Sequence, residues 1–266
     1  MAAVYRVWRR ALDSQAGWQW SQWSQRAARA LGTVLAETIL PCVLPSSCAL
    51  CGGSASGLLC APCRHQYTQA RRRCIQCANP LAAQEPVARC GACIRATPAY
   101  DATVAAVDYA APFDALVLQL KFGAQLALAP LCAQLLRDAM LGQAPLALPD
   151  VLCPVPLGPH RLAERGFNQA LEMARPLARL LGVPLDARLL ARPSDTPAQS
   201  SLTPAARREN VRRAFVVCGD VAGRHVGVVD DVMTSGHTLH AVARTLQRAG
   251  AVRVTNLVFA RTPPHD

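Results

Sequence analysis

Short apolar runs alternate with amphipathic stretches through most of the second half of the chain. The apolar runs are typical of strands buried on both faces, and the amphipathic stretches have the spacing of helices. Strands are predicted at residues 100–110, 151–154, 185–190, 214–218, 225–230 and 252–260, and helices at residues 112–122, 126–141, 167–181 and 236–249. This alternation predicts an α/β fold with a mainly parallel sheet and helices on both faces.

A different pattern occupies residues 48–95, where apolar periodicity is weak and cysteines are frequent. Four Cys-x-x-Cys pairs account for eight of the twelve cysteines, and they comprise Cys48, Cys51, Cys60, Cys63, Cys74, Cys77, Cys90 and Cys93. Two pairs supply four thiolates, the tetrahedral set that zinc prefers in closed structural sites. We therefore predict two structural zinc ions. Sequential pairing is the simplest arrangement, a cross-braced one stays open, and an iron–sulfur cluster or a thiol redox role are lesser alternatives.

Residues 1–40 differ from the remainder because they are basic and contain all four tryptophans. They are expected to be helical or disordered. They either contact an anionic membrane or nucleic acid, or they pack on the cysteine region. Neither a signal peptide nor an uncharged apolar run long enough to span a membrane is evident, so a reducing cytoplasm is expected, with peripheral contact at the inner face of the membrane left open.

Charge narrows the class of partner. The formal net charge is +11, and Lys121 is the only lysine among 28 basic residues. Arginine binds phosphates bidentately, so the balance favours anionic partners such as phosphates or nucleic acid, although a genomic preference for arginine codons explains the bias equally well.

The strand predicted at 225–230 leads into a pattern typical of phosphate binding. Two carboxylates, Asp230 and Asp231, end the apolar run, and the segment Thr234-Ser235-Gly236-His237-Thr238 precedes a helix. Backbone N–H groups and hydroxyls at a helix N-terminus favour a phosphate, and Gly236 lets the backbone approach closely. The carboxylates stand about one ribose away, where they can accept hydrogen bonds from its 2- and 3-hydroxyls. The run predicts a ribose 5-phosphate site.

This loop resembles the PRPP-binding motif of type I phosphoribosyltransferases, and further segments resemble the ComF family. Those segments are Cys153-Pro154-Val155-Pro156-Leu157, Arg161, Arg165-Gly166-Phe167-Asn168-Gln169-Ala170, Gln199 with Leu202, and residues 207–215, with Tyr109 and Lys121-Phe122 between them and the cysteines. The resemblance covers about residues 40–261. It implies a double zinc-ribbon module at 41–97, followed at 98–266 by a domain of the type I phosphoribosyltransferase fold.

The resemblance also implies roles for individual residues. Asp230 and Asp231 would hold the ribose hydroxyls beside Mg²⁺, and Thr234, Ser235, Gly236, His237 and Thr238 would cradle the 5-phosphate. The turn after strand 151–154 would hold the pyrophosphate with Arg161 and Arg165. The long polar loop 193–210 would be a flap carrying Arg207. Asp230, Asp231 and Arg165 are the implied catalytic residues, and Asn168 and Gln169 either cap a helix or touch ligand. Lys121 either reaches the site from the preceding helix or, as the simpler expectation, lies at the surface.

Three functions are consistent with this sequence. One is a Mg²⁺- and PRPP-dependent phosphoribosyltransferase, for which no base-recognition surface is evident. ComF-family members are linked to competence and the use of external DNA, so another is a protein that binds PRPP or a nucleotide and acts on incoming single-stranded DNA without turnover, alongside DNA-uptake proteins. The third is a zinc-ribbon adaptor that uses the fold as a platform.

Overall fold

The computed structural model describes residues 46–82, 88–142, 147–193 and 214–263. The leader at 1–40, most of the predicted flap and Arg207 therefore lie outside the described residues. The chain divides into two compact units, one ending at Cys63 and one beginning at Arg64. Within the described residues no helix is long and apolar enough to cross a membrane.

The smaller unit contains a short antiparallel hairpin. Strand β1 (Ser46–Ser47) pairs with β2 (Ser54–Ala55), and helix α1 (Ala61–Tyr67) begins at the end of this unit. The turn between the strands holds Gly52 at φ +73°, a left-handed backbone that glycine adopts without strain.

The larger unit is built on a four-stranded sheet in which every pairing is parallel. Its order is β3 (Ala102–Asp108), β8 (Arg253–Arg261), β7 (His225–Met233) and β4 (Val151–Pro154). The described helices of this unit are α2 (Gly91–Arg95), α3 (Phe113–Phe122), α4 (Ala129–Gly142), α5 (Pro159–Arg165), α6 (Gln169–Leu181) and α7 (His237–Arg248). A two-stranded antiparallel ribbon joins β5 (Leu190–Ala191) to β6 (Val216–Val217).

Alternate residues of the sheet enter two separate cores. One core joins Val104, Leu152, Val229 and Leu257 to apolar side chains of α4 and α6. The other joins Ala105, Cys153, Val228 and Val258 to α7 and to three cysteines of the second set, Cys74, Cys77 and Cys93. Because successive strand residues point to opposite faces, the apolar strands serve both cores. The predicted parallel sheet with helices on both faces is confirmed.

The second cysteine set belongs by packing to the sheet unit, whereas the sequence groups it with the first set in a module ending at residue 97. The reason is burial, because Cys74 and Cys77 enter the core on the α7 side of the sheet. The boundary at residue 97 stays a prediction about sequence modules, and the compact units divide at Cys63 and Arg64.

Several local expectations differ from the structure. A turn was expected after β4, but residues Pro159–Arg165 form α5, with proline at its first position and Gly166 in the left-handed conformation after its last. The helix expected from residue 167 begins at Gln169, because Asn168 adopts extended backbone and caps it. Strand β7 also continues past Asp230 and Asp231 to Met233.

Candidate functional site: two cysteine centres and an acidic sheet edge

The first cysteine set lies in the smaller unit, and its four sulfurs converge. The ligand atoms of Cys48, Cys51, Cys60 and Cys63 all lie within 4.8 Å of one another, and Cys51 Sγ is 3.8 Å from Cys60 Sγ. Tetrahedral zinc with Zn–S bonds of about 2.3 Å requires sulfurs about 3.8 Å apart. The set therefore fits one zinc ion.

The second set lies in the larger unit and has the same form. Cys74, Cys77, Cys90 and Cys93 converge within 4.8 Å, with Cys77 Sγ 3.5 Å from Cys90 Sγ. A hydrogen bond with Cys77 Sγ lowers the pKa of Cys74 to about 4, and burial raises the pKa of Cys93 to about 12. Zinc is ligated by thiolates, so an ion bound by this set would displace the thiol protons. The structure settles the pairing as sequential, not cross-braced.

The two predicted carboxylates lie on β7 where its neighbour ends. Strand β4 pairs with β7 only as far as Pro154 opposite Val229, so Asp230 and Asp231 follow directly beyond that pairing. Adjacent strand residues face opposite sides of a sheet, so the two side chains straddle the strand. Burial, and then the neighbouring Asp231 carboxylate, raise the pKa of Asp230 well above its usual range, while Asp231 N donates to Asp230 Oδ1 at 2.9 Å.

Lys121 provides the cation facing this pair. Its Nζ lies 2.7 Å from Oδ2 of the buried Asp231, as an ion pair without the angles of a hydrogen bond. That oxygen accepts no hydrogen bond from the described residues. The oxygens of an adjacent carboxylate pair are the ligand type that a ribose hydroxyl or a hard cation such as Mg²⁺ takes. Of the two expectations for Lys121, the surface position is wrong and contact with the site is confirmed, since the last turn of α3 directs it to the acidic pair.

The segment Thr234–Thr238 connects β7 to α7, at the same edge of the sheet. Gly236 has φ +79° and precedes the first residue of α7. A Cβ there would lie 2.7 Å from Met233 Cε and 3.1 Å from the Tyr100 hydroxyl, so a larger residue would displace the end of the Met233 side chain and would also be strained at this φ. Ser235 Oγ bonds to His237 Nδ1 at 3.0 Å, and Thr234, Ser235, His237 and Thr238 are exposed. The loop presents hydroxyls and a helix N-terminus to solvent.

The predicted pyrophosphate cations lie on α5. Arg165 stacks over the Phe122 ring at 5.4 Å and donates from Nη1 to Gln169 Oε1 at 2.5 Å, while Arg161 is exposed. The last two residues of α3 thus contact both predicted groups, Lys121 at Asp231 and Phe122 at Arg165. The structure thereby links Arg165 to the acidic pair through α3.

The structure also decides between two expectations for the start of α6. Asn168 caps the helix by accepting from Ala170 N at 3.0 Å, and its amide donates to Val155 O at 3.0 Å. Gln169 is buried and holds Arg165. Both side chains are committed to positioning the segment that carries the arginines.

Sequence reasoning left the position of Lys121 open and missed Arg261. The fact that Lys121 is the only lysine in the sequence was a usable signal. The sequence did not show, however, that α3 presents this side chain to the acidic pair. Arg261 is buried at the end of β8 and bonds to backbone carbonyls beside the loop. The sequence did give a signal for Arg261, because it is a charged residue at the end of an apolar strand.

Comparisons with known proteins agree with this geometry. Residues 168–264 match the phosphoribosyl transferase domain and residues 39–94 match the double zinc ribbon domain. The DNA utilization protein YhgH of Salmonella typhimurium is 35% identical over 77% of this chain and 90% of that protein. Competence protein F of Haemophilus influenzae is 31% identical over 80% of this chain and 96% of that protein.

Among solved structures, the chain is similar to a purine phosphoribosyltransferase from Pyrococcus horikoshii. The match covers 52% of this chain and 73% of that protein, with a TM-score of 0.30 and 22% sequence identity. Both domain families match, and the named relatives exceed 30% identity over three quarters of the chain. The chain therefore belongs to the ComF family, in which a cysteine-rich zinc-ribbon module precedes a domain of the type I phosphoribosyltransferase fold.

Proposed function

We propose that the chain binds Mg²⁺–PRPP, or the ribose 5-phosphate part of a nucleotide, at the carboxyl edge of its parallel sheet. The observation that carries this is an acidic pair, with Asp231 buried, followed within three residues by a glycine-bearing loop at a helix N-terminus. Ligands of open parallel sheets bind at this edge. The raised pKa of Asp230, caused by burial and by the Asp231 carboxylate, supports a cation or a hydroxyl donor there.

The proposal assigns a role to each group. Asp230 and Asp231 accept hydrogen bonds from the ribose hydroxyls and face Mg²⁺. Backbone N–H groups and hydroxyls of Thr234–Thr238, with Ser235, Gly236 and His237 between them, bind the 5-phosphate. Arg161 and Arg165 bind the pyrophosphate, and Arg207, outside the described residues, is the proposed cation of the flap.

Phosphoribosyl transfer would need these same groups. Positive charge develops at C1 of the ribose as pyrophosphate leaves, so catalysis depends on neutralising pyrophosphate and orienting the acceptor. Bound Mg²⁺ would supply charge neutralisation. Asp230, Asp231 and Arg165 are the proposed catalytic residues, and turnover, with the acceptor base, is part of the proposal that the experiment below decides.

The biological role we propose is in competence or the use of external DNA. It follows from the relatives, which carry the names DNA utilization protein and competence protein. The alternative is a protein that binds single-stranded DNA, or acts as an adaptor, without turnover. The net charge of +11 favours a nucleic-acid contact in either case. A reducing cytoplasm suits both zinc sets, and contact of residues 1–40 with the inner face of the membrane belongs to the same proposal.

Calorimetric titration of Mg²⁺–PRPP tests the ligand. Wild type should bind, and Asp230→Asn/Asp231→Asn should not. Asp220→Asn is the matched control, because Asp220 is an exposed turn carboxylate away from β7. Failure of wild type to bind would refute the proposed ligand.

A binding-competent protein is then screened with bases for pyrophosphate release. Release that depends on Asp231 establishes an enzyme. Binding without release, together with salt-dependent binding of single-stranded DNA, supports the non-catalytic alternative.

A further inference from the structure

One buried side chain joins the second cysteine set to the phosphate loop. The Arg261 guanidinium donates from Nε to Cys77 O at 2.9 Å and from Nη1 to Met233 O at 3.0 Å. The same Nη1 also contacts the carbonyls of Thr234 and Thr262. Cys77 is a metal-ligating residue, and Met233 and Thr234 begin the loop. A single planar fork thus spans both sites.

The Cys74–Cys77 turn is fastened to the sheet by its other carbonyls. Thr103 N donates to Ile75 O at 3.1 Å, and Thr103 Oγ1 donates to Gln76 O at 2.6 Å. The carbonyls of all three residues after Cys74 are therefore acceptors for groups of β3 and β8. The turn is thereby fixed to two strands of the sheet, and β8 is the strand paired with β7.

Tyr100 forms a second connection on the same side. It is buried in one core with Cys74, Cys77 and Cys93, and its hydroxyl lies 3.1 Å from the Cβ position of Gly236. The buried Gln76 amide donates to Tyr100 O at 3.1 Å. Tyr100 therefore contacts the Gly236 position and also packs in the same core as the second cysteine set.

We propose that the second metal site positions the phosphate loop through Arg261, so that metal retention by Cys74, Cys77, Cys90 and Cys93 and binding of a phosphate ester are coupled. This inference rests on the proposed function. The metal holds the Cys74–Cys77 turn, the turn holds the Arg261 fork, and the fork holds the Met233 and Thr234 carbonyls. Coupling between two sites is reciprocal in binding free energy, so the ligand must also raise the affinity of the second set for the metal. We expect this tighter binding to appear as slower release of the metal.

Zinc release to a chromogenic chelator measures the coupling. The measurement uses a Cys51→Ser/Cys60→Ser variant, which lacks two ligands of the first set. The zinc released then comes from the second set. Saturating ribose 5-phosphate, which has no pyrophosphate to bind zinc, should slow release by about fivefold or more. Arg261→Met should abolish the slowing while zinc remains bound. Arg261→Lys, which keeps the charge but not the planar fork, serves if the methionine variant does not fold.

The matched control is Arg253→Met, at the other end of the same strand, which should retain the slowing. A purely structural role for Arg261 would lower the melting temperature and leave the slowing intact. Slowing that persists in Arg261→Met, or its absence in a wild type that binds ribose 5-phosphate by calorimetry, would overturn the inference.

Hydrogen–deuterium exchange separates this inference from the proposed function, because it needs no ligand. Removing the second ion should accelerate amide exchange in residues 233–238 by about tenfold or more, as local opening becomes easier. Arg261→Met with its zinc retained should show the same acceleration. Unchanged loop exchange in both cases would refute the coupling even if PRPP binds. If PRPP does not bind but amide exchange in the loop is accelerated as expected, only the proposed ligand is refuted and the coupling stands.

Discussion

At the scale of single residues, two adjacent carboxylates at a sheet edge destabilise the folded state. Burial and the Asp231 charge both favour the protonated form of Asp230, which is why its pKa is raised. A function that needs both groups ionised therefore conflicts with stability. Such conflicts concentrate where ligands bind.

Asp230→Asn should stabilise the protein while weakening ligand binding. A raised carboxyl pKa penalises the folded state at pH values above it. The penalty shrinks as pH falls through the raised pKa and vanishes near the ordinary value of about 3.9. Urea unfolding should therefore show a variant more stable than wild type at pH 8, with a smaller difference at pH 5. A variant less stable at pH 8 would contradict this account.

Lys121→Met should destabilise the protein by about 1 to 3 kcal/mol, because Asp231 would remain buried without its counter-charge. Adding Asp231→Asn should recover most of the loss, and a double-mutant cycle by urea unfolding measures the coupling. Arg175→Met, which breaks the exposed pair with Glu172 on α6, is the control and should change stability by no more than about 0.5 kcal/mol. Equal losses in both variants would argue against a buried pair.

At the scale of elements, three helix ends assemble the site. The end of α3 brings Lys121 and Phe122, the end of α5 brings Arg165, and the start of α6 holds Arg165 through Gln169. Each end depends on local capping that a strand or loop residue supplies. The site is therefore sensitive to substitutions that touch no ligand.

Asn168→Ala should lower the free energy of unfolding by about 1 to 2 kcal/mol, through loss of the cap and of the donor to Val155 O. Asn168→Asp keeps the capping acceptor and loses only the donor, so it should lie between wild type and the alanine variant. Thermal and urea unfolding rank the three proteins. An aspartate variant as unstable as the alanine variant would assign the effect to Val155 O alone.

At the scale of the whole molecule, the two cysteine sets have the same ligands and different surroundings. The first set lies in the smaller unit, with Cys51 exposed. The second enters a core of the sheet unit, where Cys74 is fully buried. Burial of a metal site in a core makes the metal part of that core's stability.

Purified protein should contain two zinc ions per chain, and Cys60→Ser and Cys77→Ser should each lose one, as metal analysis will show. Cys77→Ser should lower the melting temperature of the sheet unit more than Cys60→Ser does, because only Cys77 lies in its core. Equal effects would indicate that the second metal does not stabilise the sheet.

The sequence by itself determined the parallel α/β sheet, the two zinc sets and the loop Thr234–Thr238. These features depend on local pattern: apolar runs select strands, Cys-x-x-Cys spacing selects a metal, and a glycine before a helix selects an anion site. Most predicted strands and helices match the structure to within a few residues. The helix α5 was missed because its seven residues have no buried face that would give a periodic signal.

Only the tertiary structure decided which distant residues meet. The ion pair between Lys121 and Asp231 joins residues 110 positions apart, and Arg261 reaches Cys77 across 184 positions. It also decided that the cysteine pairs combine sequentially and that the second set belongs to the sheet's core. The physical reason is that local pattern specifies elements, whereas contacts between them follow from how their faces pack.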